Sequence, residues 1–227
     1  MIRLHAVVEG QTEETFINQV LAPELGVRQI FVDAHCVTTG RKRVPLHRGG
    51  IRNYQQLKND LVFWMRQEKG RNVRFTTMVD LYRLPTDFPG YDDCKRKIDP
   101  HTRAECMEDR LQKDIQDDRL VPYIQLHEFE ALLFADVHKF EIAFPDRPAE
   151  VQKLKAIRED FPSPEHINDQ PDQSPSKRIL NVIPDYVKTV SGVLIVQSIG
   201  LPVLRKECVH FGRWLDRLEQ LVAFSDS

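Results

Sequence analysis

The chain of 227 residues carries 32 basic and 34 acidic side chains, a formal net charge of −2, and 41% hydrophobic residues. This length and composition predict one sizeable globular domain, and they exclude a repeat array and a largely disordered chain. Because the charges balance, the net field of the protein does not attract a polyanion. Any contact with nucleic acid must therefore come from a local basic patch.

The sequence has no feature of a membrane or secreted protein. Its apolar runs fall far short of the roughly 20 residues that span a bilayer, and its start, MIRLHAVVEG, lacks the apolar core of a secretion signal. We therefore expect a cytoplasmic protein with no membrane association. Neither CxxC pairs among the four cysteines nor zinc-ligand spacings among the eight histidines are found. Reduced thiols are favoured over a disulfide framework.

Strands and helices are predicted to alternate through the first 136 residues. Strands are expected at 4–8, 29–37, 73–79 and 123–126, and helices at 12–21, 54–68, 103–118 and 127–135. The segment 81–93, which contains two prolines and Gly90, is expected to lack regular structure. This alternation is typical of an α/β fold with a mostly parallel sheet flanked by helices.

The remaining residues have a different character. Helices are predicted at 149–159, 177–186, 191–199 and 207–222, around a stretch rich in Pro, Ser and Asp at 161–176. We therefore predict an α/β core, residues 1–136, and a C-terminal helical annex, residues 137–227, packed on it to give a single compact unit.

Acidic side chains follow three of the predicted strands. Glu9 follows the first, Asp80 the third, and Glu128 with Glu130 the fourth, while Glu13 lies one helical turn after Glu9. Ligands of such sheets lie beyond the carboxyl ends of the strands. Clustered carboxylates need a hard cation such as Mg²⁺ or Mn²⁺ to offset their repulsion. The pattern predicts a metal-dependent phosphodiesterase in which these five acids bind the metal.

Four of these acids also have a purely structural interpretation. Glu13 can favour the positive end of its helix, Glu128 and Glu130 can be solvated acids at an ordinary helix start, and Asp80 can be a turn residue. Asp80 is harder to explain structurally, because an acid that ends an apolar strand and opens a proline-bracketed loop has no packing task. We predict Glu9 and Asp80 as the catalytic residues.

Basic side chains that could hold a phosphodiester backbone lie in two regions. Three are in the loop after the second strand and three in the annex: Arg41, Lys42, Arg43, Lys177, Arg178 and Lys188. Each of these six side chains can instead be a solvated surface charge. Ser176, which precedes Lys177 and Arg178, can be a simple helix cap.

Five sequence blocks between residues 8 and 214 resemble a bacterial family of Toprim-like proteins, the domain of unknown function 4276. The blocks are VEGQTEETF, TTMVDLYRLPTDFPG, VPYIQLHEFEALLFAD, SPSKRI and CVHFGRW. The first also resembles the opening motif of the Toprim domain, the metal-binding module of topoisomerases, primases and the overcoming-lysogenisation-defect nucleases. The resemblance implies a Toprim-like fold, a divalent-metal nuclease activity, and an ATPase partner of the structural-maintenance-of-chromosomes type in defence against phages or plasmids.

The chain departs from the Toprim pattern at one point. The Toprim domain carries Asp-x-Asp after its third strand, whereas Asp80 is followed here by Leu81 and Tyr82. Asp87, or the pair Glu128 and Glu130, can restore the ligand count, and we favour the pair. The departure also supports a second hypothesis, a catalytically inactive module that binds or regulates an ATPase. A phosphatase or phosphotransferase acting on a small molecule is a third.

Overall fold

The computed structural model describes residues 1–37, 51–167 and 172–222. Within these ranges one sheet has five strands, and every strand pairing in it is parallel. The strands are β1 (Ile2–Val8), β2 (Ile30–Cys36), β3 (Val73–Asp80), β4 (Leu120–Val121) and β5 (Ile124–Gln125). β1 lies between β2 and β3, and β3 pairs on its other side with both β4 and β5.

Helices connect the strands and form the rest of the described chain. The α-helices are α1 (Gln11–Phe16), α2 (Ala22–Val27), α3 (Tyr54–Gln67), α4 (Tyr91–Lys95), α5 (Pro100–Ile115), α6 (Phe140–Ala143), α7 (Pro148–Glu159), α8 (Pro175–Val182), α9 (Val193–Ile199), α10 (Leu201–Glu207) and α11 (Val209–Glu219). π-helical turns cover Ile17–Leu21 and Lys188–Gly192, and 3₁₀ turns cover Leu81–Arg83, Phe129–Ala135, Val137–Lys139, Pro164–His166 and Gln220–Val222. No helix in the described ranges is long and apolar enough to cross a membrane.

Both faces of the sheet are covered, which explains why β1 and β3 are almost continuously buried. Alternate residues of β1, such as Leu4 and Ala6, belong to one hydrophobic cluster together with α1 and the C-terminal helices. Val7 belongs to a second cluster on the opposite face, with side chains of α3 and α5. The α/β class predicted from the sequence, a mostly parallel sheet flanked by helices, is confirmed.

The C-terminal helices share a core with the sheet. Ile195, Phe211 and Trp214 lie in the same cluster as Leu4, and the Trp214 indole nitrogen donates a hydrogen bond of 2.9 Å to the hydroxyl of Thr76 on β3. The division into a core, residues 1–136, and an annex, residues 137–227, stays a prediction.

Several sequence-based element predictions are corrected by the structure. The segment 127–135 is not an α-helix but a 3₁₀ turn, because His127 has a left-handed φ of 61° and Glu128 is extended. The segment 81–93 is not free of regular structure, since it contains the 3₁₀ turn Leu81–Arg83 and the start of α4, which follows Gly90 at a φ of 68°. The short strand β4 and helix α10 are absent from the prediction.

The prediction of four reduced cysteines is wrong for two of them. Cys94 on α4 and Cys106 on α5 form a disulfide across a sequence separation of 12 residues. The cause is the packing of α4 beside α5, which brings the two Cα atoms to 5.6 Å. Sequence spacing alone does not show this contact.

Candidate active site

The carboxyl ends of β1 and β3 place the two predicted catalytic acids side by side. The amide of Glu9 donates to the carbonyl of Met78, which continues the β1–β3 pairing by one residue. The Glu9 Oε2 atom in turn accepts a hydrogen bond of 3.0 Å from the amide nitrogen of Asp80. The predicted neighbourhood of Glu9 and Asp80 is therefore present, and it follows from the parallel register of the two strands.

The loop after β5 lies against Asp80. The Oδ1 atom of Asp80 accepts a hydrogen bond of 3.0 Å from the amide of Phe129, and the amide of Tyr82 donates to the carbonyl of His127 at 2.9 Å. His127 holds a left-handed φ of 61° at this point, a conformation that non-glycine residues adopt rarely and at some cost. These contacts fix the start of the 3₁₀ turn that carries Glu130.

Lys188 lies at the centre of three of the acids. Its Nζ atom is 3.1 Å from Glu13 Oε1, 3.4 Å from Glu130 Oε2 and 3.6 Å from Asp80 Oδ2. It also lies 5.6 Å from the centre of the Phe129 ring. The sequence predicted Lys188 as a phosphate contact of the annex, and the structure places it within the acid cluster, defined here as Glu9, Glu13, Asp80, Glu128, Glu130 and Lys188.

Glu128 differs from the other acids because it faces a helix. Its Oε2 atom accepts a hydrogen bond of 2.9 Å from the amide of Ser176 in the first turn of α8, where a carboxylate is favoured by the unpaired N–H groups and the helix dipole. The predicted alternative to Glu128 and Glu130, Asp87, accepts from the amide of Tyr54 at the start of α3. Glu130 is thus the acid after β5 that meets the Lys188 ammonium group.

Burial and mutual repulsion set the charge state of the cluster. Burial raises the pKa of Glu9, and the nearby Glu13 carboxylate raises it further, against the Asp80 amide and Lys188. Burial likewise raises the pKa values of Asp80 and Glu130, with the Lys188 ammonium opposing the shift in both. Burial alone would lower the pKa of Lys188, but Asp80, Glu130 and Glu13 hold it well above its usual range. The single ammonium group of Lys188 therefore offsets only part of the cost of burying these carboxylates.

Tyr186 contributes a polar atom to this region that has no hydrogen bond to any described residue. Its hydroxyl oxygen is buried; burial raises the pKa of this phenol well above its usual range, and the Glu130 charge adds to the shift. A Cβ atom at Gly192 would come within 2.5 Å of this hydroxyl, so the close approach requires glycine. An unsatisfied buried hydroxyl beside an excess of carboxylates is the environment that a bound cation or ligand would complete.

The donor atoms of the acid cluster are of the type that a hard cation binds, but they are arranged around an ammonium group. All the donors are oxygens, which Mg²⁺ and Mn²⁺ prefer. Among the described residues, however, the group of three metal-ligand atoms that all lie within 4.8 Å of one another is elsewhere, at Asp99, His101 and His166. The acids surround the Lys188 ammonium, so a cation held by Glu9, Glu13 and Asp80 requires that this ammonium group withdraw.

The predicted phosphate contacts are only partly brought to the cluster. Lys177 is exposed in the first turn of α8, two residues beyond Pro175. Arg178 is engaged with Gln173, through hydrogen bonds of 2.7 Å and 3.1 Å, and with the Phe161 ring. Arg41, Lys42 and Arg43 lie outside the described residues.

Sequence reasoning missed two residues of this site. Arg83 is exposed in the turn after Asp80, and its charge lowers the pKa of Glu9, which places a cation at the rim of the cluster. Tyr186 is the other. The signal for both was their position, because Arg83 is three residues after Asp80 and Tyr186 two before Lys188, but only the fold shows that they reach the acids.

A family model described as a domain of unknown function (DUF4276) matches residues 8–219, a range that includes every member of the acid cluster. No curated protein matches the sequence significantly. The chain is similar to the C-terminal region of the Xanthomonas campestris pv. campestris OLD protein, with 15% identity, a TM-score of 0.49, and coverage of 99% of this chain and 96% of that chain. It is also similar to the C-terminal region of the Burkholderia pseudomallei OLD protein, with 14% identity, a TM-score of 0.49, and coverage of 98% and 99%.

Proposed function

The chain belongs to the DUF4276 family, and we propose that it is a Toprim-type nuclease that hydrolyses phosphodiester bonds with Mg²⁺ or Mn²⁺. The observation that carries this proposal is the convergence of Glu9, Glu13 and Asp80 at adjacent strand ends, with Glu130 joining them around one ammonium group. Buried carboxylates in excess of their counter-charge are the setting in which hard cations bind. Glu9, Glu13 and Asp80 would hold the metal.

The metal, when bound, would activate water and neutralise charge on the phosphoryl group. Glu9 has a raised pKa, which suits a carboxylate that accepts the proton of the attacking water. Asp80 orients Glu9 through its backbone amide. Lys188, displaced from the acids, would place its ammonium beside the oxygens that gain charge in the transition state.

Positive side chains around the cluster support a polyanionic substrate. Arg83 and Lys177 are exposed, and each can pair with a backbone phosphate without leaving a buried contact. Because the net charge is −2, we infer a local contact with nucleic acid rather than a long footprint. The sequence resemblance adds an ATPase partner of the structural-maintenance-of-chromosomes type, a role in defence against phages or plasmids, and a cytoplasmic location to this proposal.

The test is cleavage of plasmid and of single-stranded DNA and RNA by the purified chain in EDTA, Mg²⁺ or Mn²⁺. Glu9→Gln and Asp80→Asn keep the side-chain shape and should each reduce metal-dependent cleavage by about 100-fold or more, since each removes a charged group at the reacting centre. Glu14→Gln is the matched control, because Glu14 lies next to Glu13 on α1 but lines a different surface, with His35 and Trp64.

The proposal fails if cleavage persists at the wild-type rate in both Glu9→Gln and Asp80→Asn, since the activity would then belong to another site or a contaminant. It also fails if the wild-type chain cleaves none of the substrates, with or without the ATPase, while binding Mn²⁺ at the acid cluster.

A second function is favoured by one observation, the position of Lys188. Its ammonium group lies within 3.6 Å of three carboxylates and can replace a cation permanently, in a metal-free module that binds or regulates an ATPase. Mn²⁺ titration followed by electron paramagnetic resonance separates the two functions. A nuclease binds Mn²⁺ in a manner lost in Asp80→Asn, whereas the metal-free module binds none at this cluster.

A further inference from the structure

A second group of ionisable side chains lies on other elements of the fold. Asp99 precedes α5, His101 lies in its first turn, and His166 ends the 3₁₀ turn Pro164–His166. One ligand atom from each of these residues lies within 4.8 Å of the other two. We call this group the histidine cluster.

His101 is held in a fixed orientation by a buried carboxylate. One ring nitrogen, Nε2, lies 3.0 Å from Oε2 of Glu165, and the other, Nδ1, lies 3.5 Å from Oδ1 of Asp99. Glu165 is completely buried. Burial alone would raise its pKa, but hydrogen bonds from His101 and from two backbone amides lower it, so the carboxylate is ionised and accepts a hydrogen bond from Nε2–H of His101. Glu165 and, less strongly, Asp99 raise the pKa of His101 against its burial, so a metal ion bound at Nδ1 would take the place of the proton that faces Asp99.

The other two residues are also oriented. His166 places Nδ1 2.7 Å from the hydroxyl of Ser163, which leaves Nε2 as its ligand atom. Asp99 accepts a hydrogen bond of 2.9 Å at Oδ2 from the amide of Thr102, as the N-cap of α5, and directs Oδ1 toward His101.

We propose that Asp99, His101 and His166 form a binding site for a borderline transition-metal ion such as Zn²⁺, with water completing the coordination. Two imidazoles and one carboxylate are a donor set typical of Zn²⁺, Co²⁺ and Ni²⁺, whereas Mg²⁺ prefers oxygen alone. The pairing of a metal-binding histidine with a carboxylate on its other nitrogen is the usual way in which proteins orient such ligands. Glu165 is the carboxylate that orients His101 in this way.

Glu165 also connects the histidine cluster with the rest of the fold. Its carboxylate accepts hydrogen bonds of 3.0 Å from the amides of His210 and Phe211 in the first turn of α11. Its carbonyl group lies 2.9 Å from Nε2 of His127, the residue with the left-handed conformation before Glu128. A metal at the histidine cluster would therefore stabilise the junction between α5, α11 and the loop that carries Glu130.

The experiment is a titration of the full chain with Co²⁺, read from the visible d–d absorption bands of this ion, which strengthen when protein ligands replace its water shell, followed by displacement with Zn²⁺. We expect one equivalent of Co²⁺ bound in this way. His101→Ala and His166→Ala should weaken its binding by about 100-fold, and Glu165→Gln by about 10-fold, the range for groups that orient a ligand.

Three controls make the assignment specific. His138→Ala removes an exposed histidine outside the cluster and should leave Co²⁺ binding unchanged. Glu9→Gln and Glu13→Gln should also leave it unchanged, which separates this site from the acid cluster. His166 is partly exposed, and circular dichroism checks that His166→Ala is folded. The proposal is overturned if the folded variant binds Co²⁺ as the wild type does. It is equally overturned if the wild-type bands never form, since His101 then serves only as the partner of Glu165.

Discussion

The acid cluster and the histidine cluster both group ionisable side chains but balance their charge differently. In the acid cluster a lysine occupies the centre, with Lys188 Nζ within 3.6 Å of Glu13, Glu130 and Asp80. In the histidine cluster the counter-charge lies behind the ligands, because Glu165 pairs with His101 on the side away from Asp99. The first cluster thus contains its own cation, whereas the second leaves its ligand atoms facing one another.

This difference explains why the two clusters suit different ions. The all-oxygen donors of the acid cluster suit a hard ion that must compete with Lys188, which favours weak, exchangeable binding of Mg²⁺ or Mn²⁺. The fixed imidazoles of the histidine cluster suit a tightly bound transition metal. The comparison teaches that the position of the counter-charge, more than the number of acids, decides whether a cluster is ready for a metal.

The largest effect is expected from the loss of the central lysine. Lys188→Met leaves Asp80, Glu13 and Glu130 without their shared counter-charge. Breaking such a buried pair costs roughly 3 to 5 kcal/mol, and because a third of the Lys188 side chain is exposed, we expect the free energy of unfolding in EDTA to fall by about 2 to 4 kcal/mol. Urea denaturation at pH 7.5 measures it, and added Mn²⁺ should recover most of the loss.

The matched control for this prediction is Lys177→Met, on the exposed side of α8, which should change the free energy of unfolding by less than about 0.5 kcal/mol. A loss in Lys188→Met no larger than that in Lys177→Met would show that the ammonium does not hold the acids together. The distinction between the two clusters would then disappear.

Glu165→Gln tests the counter-charge of the histidine cluster in the same way. The substitution keeps the size of the side chain but removes the charge that accepts from His210, Phe211 and His101. Hydrogen bonds to a buried charged group contribute roughly 1.5 to 3 kcal/mol, so the free energy of unfolding should fall by about 2 kcal/mol. Thermal and urea denaturation without metal measure the loss.

Glu105→Gln is the control for Glu165→Gln. Glu105 forms an exposed pair with Arg213 at 2.9 Å, and exposed pairs contribute at most about 1 kcal/mol. If the two substitutions lower the free energy of unfolding by the same amount, Glu165 does not anchor α11 and His101. The proposed orientation of the His101 imidazole would then be wrong as well.

The strand ends of the acid cluster could be predicted from the sequence. Apolar runs place β1 and β3 to within two residues, and parallel pairing then brings Glu9 and Asp80 to one edge. Glu13 follows because it lies one helical turn from Glu9. These predictions depend only on local pattern and on a general property of parallel sheets.

Contacts between distant segments could not be predicted in this way. Lys188 reaches Glu13 across the hydrophobic cluster that joins the sheet to the C-terminal helices, and no periodicity encodes that packing. His101 and His166 are 65 residues apart and show no zinc-ligand spacing, so nothing in the sequence indicates that they meet. The disulfide of Cys94 with Cys106 depends in the same way on the packing of two helices.

The pH dependence of stability sharpens the comparison further. Burial raises the pKa of Glu130 in the folded chain, so its contribution to stability is complete below the unfolded pKa and is lost as pH rises through the folded pKa. Glu130→Gln removes this penalty. In EDTA the variant should therefore gain stability relative to the wild type as the pH is raised from 4 to 8. Urea denaturation at several pH values measures the trend.

The exposed Glu141 on α6 provides the comparison for this trend, since Glu141→Gln should show no change with pH relative to the wild type. A constant difference between Glu130→Gln and the wild type across this range would mean that Lys188 compensates the burial of Glu130 completely. The acid cluster would then carry no excess charge to attract a metal.

The smallest expected change in the free energy of unfolding comes from removal of the Tyr186 hydroxyl, and the sign of this change is informative. This oxygen is buried without a hydrogen bond to a described residue, so Tyr186→Phe should leave the metal-free protein unchanged or more stable by up to about 1 kcal/mol, because an unpaired polar group is removed. Tyr123→Phe makes the contrast, since the Tyr123 hydroxyl donates to Gln125 at 2.7 Å and its loss should cost about 1 kcal/mol. If Tyr186 completes the metal-bound site, Tyr186→Phe should be less stabilised by Mn²⁺ than the wild type, although it is no less stable in EDTA. Equal stabilisation by Mn²⁺ in both proteins would show that this hydroxyl is only packed beside the acid cluster and that the cation binds without it.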